Sequence, residues 1–255
     1  MNTFPDSFVG IQLHIGDPYT IGWCGQRANF YGVSGTPTTW FDGVLECEGA
    51  YDSDTQMYNW YNQQRQQRMS VPTDVTIELS AVESAAQTYD VTAVVGIEAG
   101  GTGKDVRLHF VEVLDYYPSS ADDRYRNCVV EHQAGGTYTL APGESTTVTR
   151  TFAITGVSWT NREDAKFVVF AREPLSPAPK EIYNCAELGW PFVMDVEGDV
   201  DGDGDVDLED LAALLASYGL CVGDPGYNDD ADFNNDGCID LVDLAALLAN
   251  YGYGT

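Results

Sequence analysis

The sequence predicts a multidomain α+β fold that ends in a small all-α module. Three observations predict it. Helix and strand periods are mixed over residues 1–70, the apolar period is two over residues 71–194, and over residues 195–255 an acidic loop followed by an apolar helix occurs twice. These three spans are expected to be three domains.

The bulk properties narrow the function. With 255 residues and 44% hydrophobic side chains, the chain can build packed cores. Its 40 acidic and 12 basic residues give a net charge of −28, which repels phosphate backbones and anionic membrane surfaces. No apolar run approaches the roughly 20 residues that cross a bilayer. Nucleic-acid binding and membrane insertion are therefore not expected. Residues 1–16 show no basic segment leading into a long apolar stretch, so no signal peptide is visible; a mature chain would also lack one.

In the first span, residues 8–15 alternate and read as a strand, and residues 19–31 read as a helix broken by Gly32. Gly35-Thr36-Pro37-Thr38 gives a turn into a short strand ending near Gly43. Residues 54–69 read as a helix capped by Asp52, Ser53 or Asp54. Tyr51, Tyr58, Trp60 and Tyr61 fall at near-helical spacing, which favours packing over sugar stacking.

In the second span, residues 73–80, 89–96, 106–113, 129–130, 146–154 and 167–171 read as strands. Residues 99–103, Gly135-Gly136 and Pro142-Gly143 read as turns. Six or seven short strands in this length predict an immunoglobulin-like antiparallel sandwich. No catalytic constellation emerges. His14, His109 and His132 stand isolated in strand contexts, and Glu112 with Asp115, or Glu163 with Asp164, are chance pairs in so acidic a chain. Gly143-Glu144-Ser145 lacks the second glycine of a nucleophile elbow. The chain is expected not to be an enzyme.

The tail holds the strongest signal. Residues 195–255 contain 14 Asp, 2 Glu and no Lys or Arg, a charge of −16, against −12 for everything before them. Asp199-Val-Asp201-Gly-Asp203-Gly204-Asp205-Val206-Asp207-Leu-Glu-Asp210 is repeated 33 residues later as Asp232-Phe-Asn234-Asn-Asp236-Gly237-Cys238-Ile239-Asp240-Leu-Val-Asp243. Oxygen side chains at positions 1, 3 and 5, glycine at 6 and an acid at 12 are the spacing of a calcium loop. Two Ca2+ ions are expected. The first would take Asp199, Asp201, Asp203, Asp210 and the carbonyl of Asp205, with Asp207 acting through water. The second would take Asp232, Asn234, Asp236, Asp243 and the carbonyl of Cys238, with Asp240 acting through water. Carboxylates so crowded repel without a cation, so folding is expected to be coupled to the metal. The apolar residues at position 8, Val206 and Ile239, are expected to pair the two loops. After each loop a helix is expected to bury Leu211, Leu214, Leu215 and Tyr218, then Leu244, Leu247, Leu248 and Tyr251, and to stop at Gly219 and Gly252. Gly189-Trp-Pro-Phe and Gly223-Asp-Pro-Gly break any helix entering the loops, so each unit is loop-then-helix.

A duplicated loop-helix unit of this kind resembles a dockerin, the module that docks onto cohesin domains. The likeness covers about residues 195–252, and the phrase Asp243-Leu-Ala-Ala-Leu-Leu-Ala-Asn-Tyr-Gly252 resembles the planctomycete-type variant. Where cellulosomal dockerins carry a Ser-Thr pair for cohesin, this chain has Leu208-Glu209 and Leu241-Val242. The later basic pair is replaced by Leu215-Ala216 and Leu248-Ala249. The calcium role therefore transfers, and a cellulosomal partner does not.

Residues 1–175 resemble thioredoxin-like proteins of the Omp28 type through Tyr31-Gly-Val-Ser-Gly-Thr-Pro37-Thr-Thr-Trp-Phe-Asp42-Gly43. The resemblance implies a partial thioredoxin-like region, with Thr36-Pro37 at its cis-proline turn. The segment that would carry a dithiol is missing, and Trp23-Cys24-Gly25-Gln26-Arg27 has Arg27 where the second thiol belongs.

Six cysteines without a C-x-x-C pair argue against zinc and for disulfides in an oxidising compartment. Pairing within the three spans would join Cys24 to Cys47, Cys128 to Cys185 and Cys221 to Cys238, one of 15 connectivities. The resulting expectation is a secreted, extracellular or cell-surface, non-catalytic calcium-binding protein. Its tail would mediate protein–protein assembly, by self-association into a homo-oligomer or filament. The alternatives are a cargo docked on a cohesin-like surface scaffold, and a thiol-disulfide oxidoreductase relative whose redox motif lies upstream or is lost.

Overall fold

A computed structural model of the chain describes residues 9–115, 117, 126–174, 180–192, 197–201 and 205–253. It divides into two compact units, Met1–Phe192 and Val193–Thr255. Both are built from helices and antiparallel pairings, so the architecture is mixed α+β.

Among the described residues, the span expected as a strand over 8–15 forms none; residue 8 lies outside them. Residues 9–15 make one isolated bridge, Gln12 with Cys128, where Gln12 N–H donates to Asn127 O at 2.8 Å and Gln12 O accepts from Val129 N–H at 3.1 Å. Helix α1 spans Gly22–Tyr31. It starts later than the apolar pattern suggests, because the Asp17 carboxylate accepts from Tyr19 N–H at 2.9 Å and holds a turn there. It ends at Gly32, whose φ of 67° is the left-handed cap glycine allows.

After the cis Thr36–Pro37 bond, β1 (Thr38–Phe41) and β2 (Leu45–Glu48) form a hairpin. Helix α2 spans Asp54–Met69, with Ser53 as its cap accepting from Gln56 N–H. No residue of α2 is fully buried; Arg68 ties it to Asp42 at 2.9 Å and Glu181 at 2.5 Å. The aromatic cluster packs edge to face, Tyr51 on Trp60 and Phe41 on Tyr61.

Seven further strands follow: β3 (Val75–Ala85), β4 (Thr88–Ile97), β5 (Lys104–Leu114), β6 (Cys128–Leu140), β7 (Ser145–Ala153), β8 (Ala165–Arg172) and β9 (Ile182–Gly189), with the one-turn helix α3 (Val157–Thr160) between β7 and β8. They form two antiparallel sheets, ordered β3-β4-β7 and β6-β5-β8-β9. One face of the four-stranded sheet packs toward the other sheet, with Phe167 against Phe152 and Tyr89. Its opposite face is covered by α1 and the leading segment, where Val111, Val113, Val168 and Phe170 enclose Trp23 and Cys24. Strand β5 is therefore apolar on both faces, which explains why its alternation is imperfect.

Four expectations are corrected here. Gly135-Gly136 lies inside β6 and is no turn: a Cβ at 135 would sit 2.4 Å from Leu108 Cβ and 2.8 Å from Phe110 Cε2, so the glycine admits the neighbouring strand at a bulge. Strand β9 went unread because its sequence, Ile-Tyr-Asn-Cys-Ala-Glu-Leu-Gly, is mostly half-buried and lacks a clean period. His109 and His132 are not isolated; their rings are hydrogen-bonded at 2.9 Å. The Cys24–Cys47 and Cys128–Cys185 bonds are absent, all four being free thiols. The pairing assumed that the first 70 residues are separate, whereas α1 lies on the sheet and places Cys24 within electrostatic range of Cys128.

In the second unit, α4 (Leu208–Ser217) and α5 (Leu241–Asn250) follow the two acidic loops. A single 3-10 turn, Asp229–Ala231, precedes the second loop; residues 193–196, before the first, lie outside the described ones. The core joins Val206, Leu214, Ile239 and Leu247 with Val200 and Ala231. Of each predicted stripe, one residue is buried, Leu214 or Leu247, and one is half-buried, Leu211 or Leu244. Leu215, Tyr218, Leu248 and Tyr251 are exposed, because a ten-residue helix packed on one small core has room for a single apolar row.

Candidate metal centre

The position-8 residues do not pair with each other. Val206 N–H donates to Tyr253 O at 2.9 Å, and Val206 O accepts from Gly252 N–H at 2.8 Å. Ile239 N–H donates to Leu220 O at 2.9 Å, and Ile239 O accepts from Gly219 N–H at 2.7 Å. Each loop is thus stitched to the residues that follow the other repeat's helix. The exchange is reciprocal, so the two repeats form a pseudo-two-fold pair sharing one core. The Cys221–Cys238 disulfide closes the inter-repeat segment onto the second loop, the one bond of the pairing within spans that forms among the described residues.

Within each loop, the acid at position 12 gathers the backbone. The Asp210 carboxylate accepts from Val200 N–H (2.7 Å), Asp201 N–H (3.3 Å) and Asp207 N–H (2.7 Å). The Asp243 carboxylate accepts from Phe233 N–H (3.0 Å), Asn234 N–H (3.4 Å) and Asp240 N–H (2.8 Å). Every one of these positions is displaced by the same 33 residues. Both carboxylates are buried, Asp210 at 1% exposure and Asp243 at 0%.

The donor set suits a hard divalent cation, since every candidate ligand is an oxygen. In the first loop, Asp199, Asp201 and Asp210 bring carboxylate oxygens within 4.8 Å of one another, and so do Asp205, Asp207 and Asp210. Asp203, expected at position 5, lies outside the described residues. In the second loop, Asn234 replaces one carboxylate, and no such carboxylate trio forms among the described residues. That loop is instead laced by its own turns. Asp236 N–H donates to Asn234 Oδ1 at 2.9 Å, Gly237 N–H to Asp232 Oδ2 at 2.8 Å, and Cys238 N–H to Asp236 Oδ1 at 3.0 Å.

Two features of the loops go beyond their ligand spacing. Asp207 and Asp240 are helix N-caps in capping boxes with Asp210 and Asp243, so the position-9 acids hold the helix ends. A D-x-x-D spacing before each apolar run was the available signal. The Tyr227 hydroxyl donates to Asp232 Oδ2 at 2.7 Å, and that bond holds the Asp232 carboxyl below its ordinary range. Nothing local in the sequence marks Tyr227 for this role.

No family model and no curated protein matches the chain. Among solved structures, HBP35 of Porphyromonas gingivalis is similar in fold, with 17% identity and a TM-score of 0.54 over 69% of this chain and 62% of that one. A domain of the outer membrane lipoprotein Omp28 from Porphyromonas gingivalis aligns at 17% identity and a TM-score of 0.32, over 47% of this chain and 91% of that one. The chain thus spans somewhat less than two thirds of HBP35, and what the two share is the fold.

Proposed function

We propose that this chain is a non-catalytic, secreted or surface-associated protein whose C-terminal unit binds two calcium ions in a dockerin-like module and uses it for protein–protein assembly. The observation that carries the reading is the repetition, residue for residue, of the backbone cradle around Asp210 and Asp243. Bound calcium would supply the positive charge that offsets these crowded carboxylates. Asp199, Asp201, Asp203 and Asp210, with the Asp205 carbonyl, would hold one ion. Asp232, Asn234, Asp236 and Asp243, with the Cys238 carbonyl, would hold the other.

The assembly surface is the helix face left outside the core. Leu208, Leu215, Leu241, Val242 and Leu248 are each more than half exposed; Leu208 and Leu215 recur in the second repeat as Leu241 and Leu248, while Val242 stands where the first has Glu209. Their apolar character favours a second copy of the module over a partner selected by charge. The first unit is read as a scaffold with a partial thioredoxin-like region. Against a redox role, Cys24 is fully buried and burial pushes its thiol up, opposite to what an attacking thiol needs.

Size-exclusion chromatography with light scattering, in calcium and then in EGTA, tests the assembly role. The expected result is a multimer in calcium that dissociates in EGTA. A monomer under both conditions counts against self-association.

A further inference from the structure

The first unit buries a cluster of positive charge that its acidic surroundings do not neutralise. Arg27 on α1 and Arg172 on β8 are 6% and 4% exposed, and Arg107 on β5 is half-buried. Arg107 and Arg172 are cross-strand partners, so they share the sheet face covered by α1. The Arg27 and Arg172 guanidiniums each lie 4.8 Å from the Phe30 ring. Arg68, Lys104, Arg126, Lys166 and Lys180 are each paired with a carboxylate. Arg27, Arg107 and Arg172 are not, among the described residues. The neighbouring Glu173 carboxylate is taken by Lys180 at 3.1 Å.

The two histidines extend this cluster and fix its polarity. Arg172 Nε–H donates to His109 Nε2 at 3.1 Å, so that nitrogen is an acceptor and the proton of His109 sits on Nδ1. His109 Nδ1–H then donates to His132 Nε2 at 2.9 Å, which leaves the proton of His132 on Nδ1. The relay therefore runs outward from Arg172 and ends in another donor. Burial and the surrounding guanidiniums keep both rings neutral, His109 pushed down to about 2 and His132 to about 4. Trp23 stacks on His132 at 4.1 Å between ring centres, and Phe170 on His109 at 5.0 Å, locking the pair.

Arg27, Arg107 and Arg172, from α1, β5 and β8, thus gather beside Phe30 and the face of β5 and β8 that α1 covers, and their hydrogen bonds to the Tyr31 hydroxyl, the Glu173 carbonyl and the neutral His109 leave their charge uncompensated. Leaving buried cations uncompensated is costly, and planar forked donors match oxyanions. We propose that Arg27, Arg107 and Arg172 form a receptor for a doubly charged tetrahedral oxyanion of the sulfate or phosphate type, with His109 and His132 beside it as reporters. Two negative charges match this excess of positive charge better than one, and half-buried Arg107 gives the ligand its way in.

The test is an NMR titration of the histidine ring protons in the full chain. Sodium sulfate is exchanged for sodium chloride at constant ionic strength, and then sodium acetate for chloride. The expected result is a saturable shift at His132 and His109 with sulfate, and a rise in the His132 titration midpoint. Arg107→Gln should weaken sulfate binding by roughly tenfold or more, the loss of one charge-assisted contact. Arg172→Lys, which keeps the charge and loses the fork, should weaken it too. If a variant fails to fold, the titration of the unaltered chain decides alone. Shifts that follow ionic strength without saturating, or acetate binding as tightly as sulfate, would overturn the proposal.

Discussion

Asp207 and Asp210 hold each other at the start of α4. Asp207 N–H donates to the Asp210 carboxylate at 2.7 Å, and the Asp207 carboxylate accepts from the first-turn backbone, Glu209 N–H at 2.6 Å among it. Asp240 and Asp243 repeat the arrangement on α5. In each repeat the position-12 acid therefore closes the loop while the position-9 acid caps the helix, and the bond between them would couple a bound ion to helix formation. The two roles can be separated by mutation. Asp207→Ala should cost about 1 kcal/mol, the loss of a cap. Asp210→Ala should cost more and should also reduce calcium stoichiometry from two to one. Denaturant melts with isothermal titration of each variant check this, and equal calcium binding by Asp210→Ala and the parent would contradict it.

The Cys221–Cys238 bond spans 17 residues. On the chain-entropy account, a loop of that size contributes about 3 kcal/mol. Replacing both cysteines with serine should lower the stability of the C-terminal unit by that order and leave the melting of the first unit unchanged. Calorimetry with two resolved transitions reads both.

Glu112 sits in the sandwich at 2% exposure with Oε1 lacking a hydrogen-bond partner, and burial pushes its carboxyl up to about 7. A carboxyl raised in the folded state binds its proton more tightly there than in the unfolded chain. Stability must then fall as pH rises from about 4.5 to about 7, and level off above that, by about 3 kcal/mol in total. Glu112→Gln should remove this part of the pH dependence. Urea melts of both proteins across that window check it, and parallel curves would show that Glu112 is not the cause.

Gly135 tests the packing of the sheet. Because a Cβ there would overlap Leu108 and Phe110, Gly135→Ala should destabilise the first unit by about 1–3 kcal/mol. Gly100→Ala, where a Cβ meets nothing within 4 Å, is the control and should change little. Thermal melts of the pair decide the matter.

The parts of the fold that declare themselves locally were legible. Helix α2 begins and ends where its cap and period say, because Ser53 and the run to Met69 carry local signals. The loop-then-helix repeat was legible for the same reason, since the acids that close each loop and cap its helix lie within 12 residues of that loop's start. What long-range packing decides was not. Val206 and Ile239 pair crosswise because the repeats exchange their ends, a relationship no 12-residue window contains. Cys24 and Cys128 share a neighbourhood only because α1 lies on the four-stranded sheet. The His109–His132 contact and the Tyr227–Asp232 bond likewise join residues whose types carry no marker of their partners.

The most direct test of the account is a calcium titration of the full chain, starting in EGTA, followed by isothermal calorimetry and far-UV circular dichroism together. Two ions bound per chain, with helical signal gained as they bind, is the predicted result. No binding heat and an unchanged spectrum would contradict it, and with it the reading of the repeated loops as calcium sites.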